Sequence, residues 1–130
     1  MADITNRNDI VQLMKAFYVK AFADELIGFY FTELTKLDLE KHLPTIADFW
    51  ETVLLNAGKY QGDPIKVHQH IHELSAFNDG HFNRWVHLFK QTVDELFKGD
   101  VAERAKQRAE SISTVMKIKL IHQGIQKRQL

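Results

Sequence analysis

The chain has 130 residues, equal numbers of acidic and basic side chains (17 each) and no cysteine. Its length predicts one domain over residues 1–130, its balanced charge argues against a nucleic-acid partner, and the absence of cysteine excludes disulfides, thiolate zinc sites and iron–sulfur ligation. Because it contains neither a signal peptide nor an apolar run of membrane-spanning length, we expect a soluble, cytoplasmic protein with no membrane partner.

The first predicted helix begins near Ile10, after a capping segment from Thr5 to Asn8. Apolar residues recur along it with a helical period of about 3.6 residues. Gly28 interrupts this pattern, and the aromatic residues that follow it, up to Leu34, predict a short turn. The apolar face of the helix contains Ile10, Leu13, Met14, Phe17, Tyr18, Ala21 and Phe22.

A second amphipathic segment runs from about Leu39 to Ala57, and Gly58 is predicted to end it. Pro44 lies inside this segment and has no N–H to donate to the helical ladder. We therefore expect either a kink at Pro44 or a late helix start. The predicted inner face contains His42, Ile46, Phe49, Trp50, Val53 and Leu54.

The segment from Tyr60 to His72 contains a helix start and three histidines. Asp63 followed by Pro64 is typical of an N-cap and the first helical position, so His68 is expected about one turn into a short helix. On a helix, His68 and His72 share a face whereas His70 points elsewhere. This geometry disfavours a three-histidine zinc cluster and favours a single axial ligand, as haem requires.

Two further helices are predicted, from about Asn78 to Lys98 and from about Val101 to His122, with Gly99 between them. The first has a strongly apolar stripe, and small residues in the second allow a neighbouring helix to approach closely. The chain is therefore predicted to be all-α. The stripe contains Phe82, Trp85, Val86, Phe89, Val93, Leu96 and Phe97.

The remaining histidines differ in their expected surroundings. His81, His87 and His122 are most simply surface or helix-end residues, and His87 lies off the apolar stripe of its helix. His42 is the exception, because its spacing from Ile46 and Phe49 places it on the predicted buried face. A lone buried histidine is more often structural than functional.

Several ordered segments resemble the truncated haemoglobins of the third group. They are the PheTyr pair at 17 and 18, HLPTIADFWETVL at 42–54, YQGDPIKVH at 60–68, HFNRWVHLFKQTVDELF at 81–97 and AKQRAESI at 105–112. The chain also lacks the GlyGly pairs that mark the first and second groups. The resemblance implies a globin-like fold, a truncated two-over-two helical sandwich that encloses haem.

The resemblance also implies roles for individual residues. His68 is the proximal iron ligand, and Tyr18, His42 and Trp85 lie on the distal side. His72 is a rival to His68, because the interval from His68 to Trp85 is longer than in shorter family members. The candidate residues of the pocket wall are Phe31, Ile46, Phe49 and Phe89.

The implied function is reversible binding of oxygen, nitric oxide or carbon monoxide at haem b, with a diatomic gas and a reductase as partners. A phenol O–H or an indole N–H in a dry pocket can donate to a ligand that carries partial negative charge. The same donors would support a nitric oxide dioxygenase-like or peroxidase-like side activity. The alternative is a cofactor-free or zinc-binding helical interaction module.

Overall fold

The structure is a computed structural model that describes residues 1–56 and 60–122. The all-α prediction is confirmed. Within the described residues, two π-helical segments, Tyr30–Leu34 and Lys117–His122, accompany five α-helices. The α-helices are α1 (Arg7–Ala23), α2 (Leu39–Leu55), α3 (Pro64–Leu74), α4 (Asp79–Leu96) and α5 (Asp100–Met116).

Side-chain caps begin the first three helices. Asn6 accepts from the Asp9 N–H at the start of α1, Asp38 from the Lys41 N–H at the start of α2, and Asp63 from the Lys66 N–H at the start of α3. Each cap satisfies a backbone N–H that has no partner within its own helix. The predicted start of α3 at Asp63 and Pro64 is therefore confirmed.

The second helix does not have the late start that was one of the two expectations for it. It starts at Leu39 and includes Pro44, so the expected late start is wrong. Asp38 holds the first turn in place, and Pro44 follows within the same helix. At the other end Asn56 adopts a left-handed conformation with φ of 55°, whereas Ala57 and the predicted stop Gly58 lie outside the described residues.

The long helices form two packed pairs. Helix α1 packs on α2 and α4 packs on α5, and the pairs meet through contacts of α1 with α4 and of α2 with α5. Ala102, Ala105 and Ala109 of α5 are buried, and these small side chains let its neighbours approach closely. This is the expected two-over-two arrangement.

The segment before α1 forms hydrogen bonds with the junction between α4 and α5. Ala2 accepts from the Lys98 N–H, and the Asp3 carboxylate accepts from the N–H groups of Val101 and Ala102 at 3.0 and 2.9 Å. Asp3 therefore caps α5 from a distant part of the sequence. Gly99, with φ of 148°, supplies the left-handed backbone at this junction.

Helix α3 lies at the margin of this core. It contains no buried residue, and the element that it contacts most is the second π-helical segment, Lys117–His122. Ile65 joins a small apolar cluster with Phe82, Met116 and Leu120. Within residues 1–56 and 60–122, no helix combines the length and the apolar character that a membrane span requires.

Candidate functional site

The imidazole of His68 is held in a defined tautomer by its own helix. Its Nδ1 lies 2.6 Å from the carbonyl oxygen of Pro64, one turn earlier. A carbonyl oxygen can only accept, so Nδ1 carries the proton and Nε2 keeps a free lone pair. Burial lowers the pKa of His68, and the Pro64 carbonyl partly opposes this. The ring is therefore a neutral imidazole with Nε2 available to a metal.

The second candidate, His72, has the opposite arrangement. Its Nδ1 accepts a hydrogen bond of 2.8 Å from the Phe77 backbone N–H, and its ring stacks on the Phe77 ring with 5.8 Å between centroids. An Nδ1 that accepts is unprotonated, so the neutral ring carries its proton on Nε2. Although His68 and His72 share a helical face, only His68 has a free Nε2 lone pair. The third histidine of the segment, His70, is exposed.

Tyr18 lies in an aromatic environment on the inner side of α1. Its ring contacts those of Phe17, Phe31 and Phe22 at centroid distances of 5.0, 5.7 and 6.3 Å. Burial raises the pKa of Tyr18 to about 12, so the phenol stays protonated. Within the described part of the chain no hydrogen bond engages its hydroxyl, which leaves this O–H as a donor in apolar surroundings.

Trp85 belongs to the same group of rings. Its indole stacks on Phe89 with 5.6 Å between centroids and meets Phe17 edge-on at 5.9 Å. Phe17 thus contacts both Tyr18 and Trp85, and it is buried. The structure therefore joins the two candidate donors from α1 and α4 through one phenylalanine. We call Phe17, Tyr18, Phe31, Trp85 and Phe89 the ring cluster.

His42 does not lie where the sequence placed it. The apolar spacing predicted a buried position, but the side chain is exposed. His42 lies in the first turn of α2, before Ala47, the first residue of this helix that is fully covered by its neighbours. Periodicity identified a helical face correctly. Burial of that face also requires a neighbouring element to pack against it, and the His42 side chain in this first turn is exposed.

The predicted wall residues divide into two sets. Phe31 and Phe89 belong to the ring cluster, and Phe89 is completely buried. Ile46 is half-buried against the main core, whereas Phe49 contacts Trp50 and Tyr60 at 5.4 and 5.2 Å. Phe49 therefore lies on the side of α2 that faces the connection to α3.

Phe49 also lines a cavity of about 410 Å³ between α2, the start of α3 and α5. Its walls are mostly apolar, with Arg108 and Ser111 at exposed positions. The volume falls within the range of about 300–1,000 Å³ that small-molecule sites occupy. The lining residues are Phe49, Val53, Pro64, Ile65, Arg108, Ser111, Ile112, Val115 and Met116.

The outer histidines lie near their predicted positions. His87 is exposed, His122 is exposed at the end of the second π-helical segment, and His81 belongs to the first turn of α4. In the part of the chain that the structure describes, no three His, Asp or Glu side chains converge as metal ligands would.

Comparison with known proteins found similarity to one family. No protein-family model matches the chain. A group 3 truncated haemoglobin of Campylobacter jejuni is 29% identical over 112 residues, which cover 84% of this chain and 86% of that protein. The crystal structure of a group III truncated haemoglobin from Campylobacter jejuni matches 92% of this chain and 95% of its own, with a TM-score of 0.80 and 28% identity. The chain has the fold of a truncated globin and is similar over most of its length to truncated haemoglobins of the third group.

The sequence did not single out the residue that joins the ring cluster. Phe17 was assigned to the apolar face of the first helix and to the PheTyr pair at 17 and 18, but not to the candidate site, although it contacts Tyr18, Trp85 and Phe89. Its place among large apolar residues was visible in the sequence. That it lies between residues of α1 and α4 depends on how the two helices cross.

Proposed function

We propose that this globin binds haem b through Nε2 of His68 and reversibly binds a diatomic gas such as oxygen, nitric oxide or carbon monoxide. Haem would be held by His68 and would supply an iron that can bind both an imidazole nitrogen and a diatomic gas. The observation that carries the proposal is the 2.6 Å contact between His68 Nδ1 and the Pro64 carbonyl.

This contact is the one expected of a histidine that binds a haem iron. Histidines that bind metals almost always donate their other ring N–H to a carbonyl or a carboxylate, which fixes the tautomer and raises the basicity of the ligating nitrogen. His68 meets this requirement, and His72, whose Nδ1 accepts from Phe77, does not. The similarity to group 3 truncated haemoglobins supports the same choice of cofactor.

The ring cluster supports the distal side of the proposal. The Tyr18 hydroxyl and the Trp85 indole N–H are donors on half-buried side chains that pack against the aromatic rings of the cluster. A bound gas that acquires negative charge is stabilised by such donors more than it would be in water. We therefore assign Tyr18 and Trp85 as the residues that slow ligand release.

The exposed position of His42 supports a different role for that residue. A side chain in the first turn of α2, in contact with solvent, is better placed to control ligand access than to donate inside a dry pocket. Phe31, Ile46, Phe49 and Phe89 are proposed as apolar wall, in keeping with their contacts in the core.

The decisive measurement is the absorption spectrum of the purified and haem-reconstituted protein in ferric, ferrous and carbon-monoxide-bound forms. We expect a strong Soret band, and we expect His68→Ala to abolish most of it. His72→Ala is the matched control, since it removes an imidazole from the same helical face and should leave the band in place.

A protein that stays colourless after reconstitution would refute haem binding. Loss of the band in His72→Ala with retention in His68→Ala would instead reverse the assignment of the iron ligand. A zinc titration by calorimetry on the same preparation tests the alternative module, for which stoichiometric binding of zinc without haem is expected.

A further inference from the structure

Three aromatic side chains from three elements bond to consecutive residues of the α3–α4 connection. The Tyr30 hydroxyl, from the first π-helical segment, donates to the Ala76 carbonyl at 2.8 Å. His72 Nδ1, from α3, accepts from the Phe77 N–H at 2.8 Å. His81 Nδ1, from α4, accepts from the Asn78 N–H at 3.0 Å.

The Phe77 ring lies at the centre of this arrangement. Its centroid is 4.7 Å from that of Tyr30, 5.8 Å from that of His72 and 6.4 Å from that of His81. It also contacts Phe82 at 5.1 Å, which links it to the small apolar cluster under α3. We call Tyr30, His72, Phe77 and His81 the Phe77 clamp.

The clamp adds contacts at the C-terminal end of α3 to those that this helix makes with the second π-helical segment. The helix contains no buried residue, and its apolar anchor Ile65 lies in the first turn. A helix fixed at one end can tilt at the other, and a small tilt moves side chains midway along it. His68 lies between Ile65 and the clamp, one turn before His72.

We propose that His72 is a positioning residue: its bond to the Phe77 N–H, together with the Tyr30 and His81 rings around Phe77, holds the end of α3 and thereby fixes the orientation of the His68 imidazole. The bond from the Asn78 N–H to His81 is part of the capping box that begins α4. The part of this inference that concerns iron rests on the proposed function. Neither histidine touches the gas or the iron in this scheme. Tyr30 extends the restraint to the segment that contains Phe31 of the ring cluster.

Substitution by asparagine separates the acceptor from the imidazole. Asparagine Oδ1 and histidine Nδ1 are both attached to Cγ, so His72→Asn keeps an acceptor for the Phe77 N–H, whereas His72→Leu removes it. His70→Leu is the matched control, since His70 is an exposed histidine of the same helix. His81→Asn and His81→Leu form a second pair for the Asn78 N–H.

The first measurement is amide hydrogen exchange of Phe77 and Asn78 in the full-length chain. We expect His72→Leu to speed exchange of the Phe77 amide by roughly tenfold, the loss expected for one net hydrogen bond, and His72→Asn to restore most of the protection. His70→Leu should leave it unchanged. If His72→Leu behaves as His70→Leu does, the clamp is refuted.

The second measurement follows His68 itself. The ¹⁵N signals of its ring report the Nδ1–H tautomer without haem, and the iron–histidine stretching band of the ferrous protein reports the bond with haem. We expect His72→Leu to shift both signals and His72→Asn to return both towards wild type. Loss of Phe77 amide protection with wild-type His68 signals would refute the positioning role.

The two proposals fail in different ways. If the wild-type protein takes up no haem, the proposed function is wrong, and the amide exchange and the His68 ring signals still decide whether the clamp orients His68. If His72→Leu abolishes haem binding altogether and His72→Asn does not restore it, His72 is a ligand and the positioning role is refuted.

Discussion

Tyr18→Phe tests the distal assignment most directly, because it removes one hydroxyl and leaves the ring. The contacts of Tyr18 with Phe17, Phe22 and Phe31 are ring contacts, so phenylalanine can keep them. The hydroxyl makes no hydrogen bond within the described residues, so its removal breaks none there. We therefore expect a change in ligand release with little change in stability.

The size of the effect follows from the surroundings of the hydroxyl. Burial raises the pKa of Tyr18 from 10.0 to about 12, which indicates an environment of low polarity around a protonated donor. A hydrogen bond to a charged acceptor contributes roughly 1.5–3 kcal/mol, and a partly charged gas should lie near the lower limit. We expect oxygen to dissociate about ten- to thirtyfold faster from Tyr18→Phe.

The assay is stopped-flow displacement of oxygen, with carbon monoxide dissociation measured on the same variant as the control. Carbon monoxide acquires less negative charge than oxygen, so its release should respond less to the loss of a donor. Since the phenol is protonated below about pH 10, the effect should not vary with pH across the neutral range.

An unchanged oxygen dissociation rate in Tyr18→Phe would refute the role of this hydroxyl as a donor. Equal acceleration of oxygen and carbon monoxide release would also contradict the reasoning, because it would indicate a general opening of the pocket. Trp85→Phe would then be the remaining test of hydrogen bonding from the ring cluster.

Three further predictions concern the junction between the chain start and α5. Asp3→Ala should lower the free energy of unfolding by about 1–2 kcal/mol, as loss of a helix cap does, with Asp100→Ala as the control. Burial alone would raise the pKa of Asp3, but the backbone N–H groups of the cap and Arg104 lower it overall. The ionised Asp3 carboxylate therefore contributes fully to the free energy of unfolding above the unfolded pKa of 3.8, and this contribution is lost as the pH falls through the lower pKa of the folded state. The free energy of unfolding of Asp3→Asn should consequently depend less on acid pH in urea titrations. Gly99→Ala should cost about 1–3 kcal/mol in the same titrations, because alanine is strained at φ of 148° and its Cβ would lie 2.4 Å from Asp3 Cγ. Gly80→Ala, where the nearest atom is 3.1 Å away, should cost less, and equal losses would contradict the argument from backbone strain.

Local sequence determined most of the secondary structure of this chain. The AspPro start at 63 and 64 predicted α3, and the apolar stripe predicted α4. These signals are readable because a cap and a helical face depend on residues only a few positions apart. The cap of α5 by Asp3 was not predicted, since its two parts are 98 residues apart in the chain.

The histidines show what only tertiary structure decided. Sequence spacing placed His68 and His72 on one helical face. Because both side chains point the same way, spacing could not decide which of them is the metal ligand. The structure separates them by tautomer, because Pro64 offers a carbonyl to one ring and Phe77 offers an N–H to the other. Spacing likewise gave His42 a helical face, but its side chain is exposed. The Pro64 carbonyl and the Phe77 N–H are only four and five residues from the two rings. Which of these groups each imidazole bonds, and whether a helical face is covered, depends on the path and packing of the folded chain, which spacing does not give.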